Sequence, residues 1–199
     1  FFKELKKNKG STSLAFRENL AIKSFNEVAF YDSVISNYLN NKINLKFPEK
    51  KTFYGVLNEN LRYGENPHQE GSFYSNLAEK NIKQLHGKKL SFNNYNDIFS
   101  ALEISESFKD NTTAIIKHTN PCGVSVDKNP INSFKKALSS DPISAFGGVV
   151  CCNFKISKNL AHELNKNFFE IIIAKGFEKN AFKILKTKKN IRLIDANKY

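Results

Sequence analysis

The sequence predicts an α/β protein built on a largely parallel sheet with helices on both faces. Three observations carry that reading. From residue 112 onward, short apolar runs ("TAIIK", "GGVVCC", "FFEIIIA", "IRLI") alternate with helical ones ("INSFKKAL", "LAHELNKN", "NAFKILK"). The apolar runs are nearly continuous, as in strands covered on both sides. Hydrophobic residues at 40% and aromatics at 13% are ample for a packed core, and 25% charged residues suit a wet surface.

The elements follow in order. "STS" at 11–13 can cap a helix running to about Leu39, on which Val28, Tyr31, Ile35, Tyr38 and Leu39 keep the three-and-four spacing of a buried stripe. The polar, basic "NNKINLKFPEKK" at 40–51 reads as a linker, so a domain boundary is expected near residue 50. "TFYGVL" reads as a strand and "NENLRYGENPHQEGSFY" as a loop. "IKQLHGKKLSFNNYND" holds a short strand and a turn, after which Asn96 or Asp97 caps a helix carrying Ile98, Ala101, Leu102 and Phe108. No internal repeat is present.

Several function classes are disfavoured. No stretch approaches the roughly 20 apolar residues of a membrane helix, and "FFKELKKNKG" lacks the apolar stretch of a secretory signal. The chain opens on Phe1 and contains no Met, so a piece of a longer protein is expected. The net charge of +12 comes from lysines scattered along the chain. Without a recognition motif or interleaved aromatics, that reads as background basicity first, attraction of small polyanions second and a nucleic-acid footprint last. Cys122, Cys151 and Cys152 make a poor disulfide framework: the adjacent pair faces opposite ways on a strand, and an odd count leaves one over. A reducing cytoplasm is the expected compartment.

"AIIKHTNPCG" at 114–123 is the most informative stretch. Ligands of parallel α/β sheets sit outside the carboxyl ends of strands, and Lys117-His118 follows an apolar strand at once. Adjacent strand residues face opposite ways, so the strand must stop at about Lys117 for both to reach one ligand. Asn120, preceding Pro121, is pushed to extended geometry, and Gly123 permits a tight turn. A histidine titrating near neutrality beside an ammonium suits a base next to a stabiliser of negative charge. The plain alternative is a solvated lysine beside a histidine bonded to a loop carbonyl.

Two further segments stand out. In "LRYGENPHQ" (61–69), Arg62 beside Tyr63, with Gly64 allowing close approach, could clamp a planar polar ligand or a phosphate; an ordinary polar loop is the alternative. In "SAFGGVV" (144–150) the glycines, Gly147 among them, let backbone N–H groups near a ligand, with Phe146 available to stack; a simple turn into a strand is the alternative. Zinc is not expected. Pro121-Cys122 lacks a second cysteine in register, and Asn120 stands where a zinc deaminase would carry glutamate.

Taken together, "LRYGENPHQ", "KHTNPCG", "DPISAFGG" and "FFEIIIA" resemble, in order and spacing, the bifunctional purine biosynthesis enzymes that join aminoimidazole carboxamide ribonucleotide (AICAR) transformylase to IMP cyclohydrolase. "GSTSLAFRENLAIKSFNEVAFYDSVISNYL" resembles the closing helix of their cyclohydrolase domain, so the resemblance covers essentially the whole chain. It implies residues 1–50 as the end of that domain plus a linker, and 51–199 as the first part of the transformylase domain. The implied fold is a cytidine deaminase-like α/β/α sandwich without zinc.

The implied reaction passes a formyl group from 10-formyltetrahydrofolate, a co-substrate, to the 5-amino group of AICAR, before ring closure to inosine monophosphate. By resemblance His118 is the base or proton shuttle, and Lys117 stabilises the oxyanion or assists the departing folate nitrogen. Arg62, Tyr63, Phe146 and Gly147 hold the nucleotide, and Glu170 bonds its polar groups. Read without the family, Glu170 is a solvated strand-start carboxylate. The resemblance also implies a homodimer, no nucleic acid and no membrane, with the cyclohydrolase residues upstream and a catalytic asparagine downstream of this chain. The competing readings are a basic module that binds nucleotides or RNA without chemistry, and an inactive dimerisation scaffold.

Overall fold

The computed structural model describes residues 1–76 and 82–199. The chain divides into two compact units, Phe1–Val56 and Leu57–Tyr199.

The first unit holds α1 (Phe2–Lys7) and the long α2 (Leu14–Lys42). Ser13 caps α2 by accepting the Phe16 N–H, satisfying one of the free donors of a helix start. The segment after α2 is tied back to it: Asn37 Nδ2 donates to the Thr52 carbonyl at 3.1 Å, and the Phe30 and Tyr54 rings meet edge-on. The expected stripe is present but not buried. Val28, Tyr31, Ile35, Tyr38 and Leu39 are 38–63% exposed, and no residue of α2 is buried. The apolar spacing is real, but a single long helix cannot cover its own face.

The second unit opens with a two-stranded sheet of β1 (Val56–Asn60) and β2 (Ser72–Ser75). The strand read at "TFYGVL" therefore begins four residues later and takes in "NEN". A six-stranded sheet follows in the order β3-β8-β7-β6-β4-β5. Its strands are β3 (Lys83–His86), β4 (Thr112–Lys117), β5 (Asn120–Val126), β6 (Val149–Cys152), β7 (Ile171–Ala174) and β8 (Arg192–Asp195). Its helices are α3 (Phe92–Glu106), α4 (Pro130–Ser140), α5 (Lys158–Asn165) and α6 (Lys179–Lys186).

The sheet is mixed, which corrects the expectation of a largely parallel one. β6, β7 and β8 run parallel to one another, whereas β4 is antiparallel to both β5 and β6, and β3 is antiparallel to β8. The cause is a strand the sequence reading took for a turn. "NPCGVSV" forms β5 and doubles back on β4 as a hairpin. Pro121 is tolerated because β5 lies at the edge of the sheet. Cys122 is the extra residue of a bulge, since Ile115 pairs with Gly123 and Ile116 with Pro121. Gly123 makes no turn. A Cβ there would stand 2.0 Å from the Ala137 carbonyl oxygen, so glycine is what lets α4 lie against β5.

Side-chain alternation divides the core in two. Ile115, Val150, Cys152, Ile172 and Leu193 pack beneath α4, α5 and α6; Ile116, Val149, Cys151, Ile173 and Ile194 pack beneath α3. Cys151 and Cys152 thus face opposite layers, and the three cysteines are free. The cap of α3 is Ser91, not Asn96 or Asp97. Ser91 Oγ accepts the Asn94 N–H while Asn94 Oδ1 accepts the Ser91 N–H, and this reciprocal pair places Asp97 inside the helix. Phe108 lies beyond the end of α3 and is exposed.

Candidate functional site

β4 ends at Lys117, where the sequence places its end, but the reversal there is made by His118 and Thr119 alone. Lys117 pairs with Asn120 across a two-residue loop in which His118 has φ 51° and Thr119 φ 62°. Two successive positive φ values are the signature of the hairpin turn that matches strand twist. Because β4 is antiparallel to β6, its carboxyl end lies beside the start of the parallel strands. Lys117 Nζ donates to the Phe146 carbonyl at 2.9 Å, and the Glu170 N–H donates to the Gly148 carbonyl at 3.0 Å. The candidate site thus sits at the carboxyl end of β4 and the amino ends of β6, β7 and β8.

The remaining selected residues gather at the same end. Gly147, at φ 75°, donates its N–H to the Phe168 carbonyl, and the Phe146 ring is 64% exposed with its centroid 5.2 Å from that of Phe168. Arg62 and Tyr63 are held against the start of α3: the Arg62 N–H donates to Leu90 O, and the Phe92 N–H donates to Tyr63 O. The Arg62 guanidinium donates to the Tyr63 hydroxyl at 2.9 Å and lies 4.7 Å from its ring centroid. That bond, aided by the Ser91 hydroxyl, lowers the Tyr63 phenol from its ordinary value, with Glu170 acting in the opposite sense. The two side chains are thus held against each other.

Glu170 is more than a solvated carboxylate. Its Oε1 accepts from Asn94 Nδ2 at 3.2 Å and from Arg192 Nη1 at 2.8 Å, although its side chain is 42% exposed. Arg192, only 4% exposed, also donates through Nε to the Lys88 carbonyl. One carboxylate oxygen is therefore committed to the fold through two hydrogen bonds. The sequence offers no expectation for the side chains of Asn94 and Arg192, and expects Asp97 only as a helix cap. "SFNNYND" reads as a turn before a helix and "IRLI" as a last strand; an arginine opening an apolar strand, which needs an anionic partner if buried, is the available signal.

The arrangement offers a cation and an imidazole at a fixed turn, an exposed ring, an Arg–Tyr clamp and an oriented carboxylate. Cavities of about 490 Å³, lined by Phe73, Leu90, Tyr95 and Ile194, and about 830 Å³, lined by Phe177, Phe182 and lysines, contain none of the seven selected residues. Among the described residues, no three His, Cys, Asp or Glu side chains gather as a metal site, and no helix is long and apolar enough to cross a membrane.

The family model of the AICARFT/IMPCHase bienzyme matches residues 1–199. The chain belongs to that family. Among relatives named bifunctional purine biosynthesis protein PurH, that of Thermoanaerobacter sp. (strain X514) is 47% identical over 194 residues, 94% of this chain. Those of Limosilactobacillus reuteri and Leptospira biflexa are 44% and 42% identical over 94% and 100% of it. The chain spans only 38–39% of the length of these relatives. In AICARFT/IMPCHase terms the four quoted motifs are thus brought to one end of one sheet, three of them directly bonded through Lys117–Phe146 and Gly148–Glu170.

Proposed function

We propose that this chain carries part of a formyl-transfer site that, in the full-length protein, moves a formyl group from 10-formyltetrahydrofolate to the 5-amino group of AICAR. The observation that carries the reading is Lys117 at the end of β4 and His118 in the two-residue turn that follows it, with Lys117 bonded to the Phe146 carbonyl of the glycine loop. The attacked amine is weakly nucleophilic because its lone pair spreads into the imidazole and carboxamide. As its nitrogen bonds to the formyl carbon, His118 takes its proton. Lys117 stabilises the tetrahedral oxyanion. The carbon–N10 bond then breaks and the proton is returned to the folate nitrogen, giving formyl-AICAR and tetrahydrofolate. Arg62 and Tyr63 hold the nucleotide, Phe146 and Gly147 form the surface against which it lies, and the free oxygen of Glu170 accepts from its polar groups.

Residues 1–50 are read as the end of the cyclohydrolase domain and its linker, and 51–199 as the first transformylase subdomain. One helix on one face of the sheet and three on the other support a cytidine deaminase-like subdomain, here without zinc. A homodimer in the cytoplasm, acting on small molecules rather than nucleic acid, completes the reading. The test is to supply both substrates to the full-length protein and to the isolated 199 residues. Formyl-AICAR from the full-length protein and none from the isolated chain is expected. Tight RNA binding with a steep salt dependence and no formyl transfer would favour the basic binding module.

A further inference from the structure

Of the described residues, four other than glycine have positive φ, and two of them, His118 and Thr119, are adjacent. Thr119 is the more telling. A β-branched residue at φ 62° is an outlier, because its branched Cβ crowds the backbone there. Such a conformation persists only when its surroundings over-determine it.

The restraints can be named. The Thr119 N–H donates to Asp97 Oδ1 at 2.7 Å. Thr119 Oγ1 and Asn120 Nδ2 both donate to the His118 carbonyl, at 2.7 and 2.8 Å. The last two are internal to the turn and would travel with it. Asp97 alone ties the turn to another element, from the second turn of α3, which packs against β4. Its carboxyl is half-buried, and that burial raises its affinity for protons against the pull of the Thr119 N–H.

We infer that Asp97 is a positioning residue: by holding the Thr119 N–H it keeps the His118–Thr119 turn left-handed, which aims His118 and Lys117 at one reacting carbon. This rests on the reading of His118 and Lys117 as the reacting pair. The groups facing Asp97 are His118 and the more distant Glu170. Neither forms a side-chain hydrogen bond with it, but its carboxylate also acts on His118 through charge, and Asp97→Asn separates that charge from the hold on the Thr119 N–H.

The experiment compares Asp97→Ala, Asp97→Asn and the double variant Asp97→Ala/Thr119→Gly in the full-length protein. The readouts are kcat and KM for formyl transfer, and hydrogen exchange of the segment spanning Thr119. Alanine removes the acceptor and should lower kcat about 10- to 100-fold, the cost of misaligned reacting groups, with KM for AICAR changed less than about threefold. Asparagine keeps an acceptor oxygen and should hold kcat within about threefold of the wild type. Glycine at 119 takes positive φ without strain, so the double variant should recover much of what alanine loses. Exchange at Thr119 should rise in Asp97→Ala and stay slow in Asp97→Asn. Because exchange does not depend on catalysis, it judges the inference even if the protein transfers no formyl group. Unchanged kcat and exchange in Asp97→Ala would overturn the inference, as would Asp97→Asn failing as badly as alanine.

Discussion

Arg192, the first residue of β8, and Glu170, just before β7, meet through Nη1 and Oε1 at 2.8 Å, with the arginine buried and the glutamate half in solvent. The asymmetry separates their duties. Arg192 is fixed by the Lys88 carbonyl and by its own N–H on the Glu170 carbonyl, so it braces two adjacent strand starts. Glu170, bonded through Oε1 alone, keeps a side chain 42% exposed. Replacing Arg192 with Met removes the brace and strands a carboxylate that water only partly reaches. The expected loss is about 1–3 kcal/mol of stability, below the figure for a fully buried pair. A denaturant midpoint equal to the wild type would contradict it.

Gly123 and Gly147 should respond differently to alanine. At 123 the new Cβ would meet backbone oxygen at 2.0 Å, with no flexible side chain to yield, so β5 and α4 must part. That should cost more than about 2 kcal/mol. At 147 the nearest atom is a ring carbon of Phe168 at 3.6 Å, and the cost comes only from φ 75°, about 1 kcal/mol. Comparing the two unfolding free energies checks the order, and Gly147→Ala proving the worse would refute it.

The thiols give a test that needs no substrate. Burial pushes Cys152 up to about 12 and Cys151 higher still, while Cys122 is raised less by burial and by Asp141. In the native protein, titration with a disulfide reagent near pH 8 should consume Cys122 slowly and spare the other two; after unfolding, all three react. The same groups set a pH trend. Thiols ordinarily ionise near pH 8.5, so above that the unfolded chain holds fewer protons than the folded one, and stability falls as pH rises. Rapid labelling of Cys151 or Cys152 in the native state would contradict the burial.

How much of this was legible in the sequence depends on where the forces act. The continuous apolar runs of β6, β7 and β8 identified themselves because burial on both faces leaves no polar alternation. β5 did not: "NPCGVSV" reads as a turn by composition, and only its pairing with β4 makes Pro121 an edge residue and Cys122 a bulge. The mixed direction of the sheet follows from that one hairpin. At the site, Lys117 and His118 showed themselves by ending a strand with two proton carriers. Asp97 and Arg192 did not, since each acts through a partner remote in sequence, Thr119 and Glu170. The stripe on α2 shows the converse, a legible pattern whose residues are left exposed.

The central claim is that His118 and Lys117 act together on one transition state. The measurement is the rate of both half-reactions in full-length His118→Ala and Lys117→Ala variants, with AICAR affinity beside them. Formyl transfer should fall about 100- to 10,000-fold in His118→Ala, and strongly in Lys117→Ala. The double variant should lose little more than the worse single one, because the two losses do not add. AICAR binding should weaken much less, since the Arg62–Tyr63 clamp remains, and cyclisation of supplied formyl-AICAR should continue. Near-normal formyl transfer in His118→Ala would contradict the account.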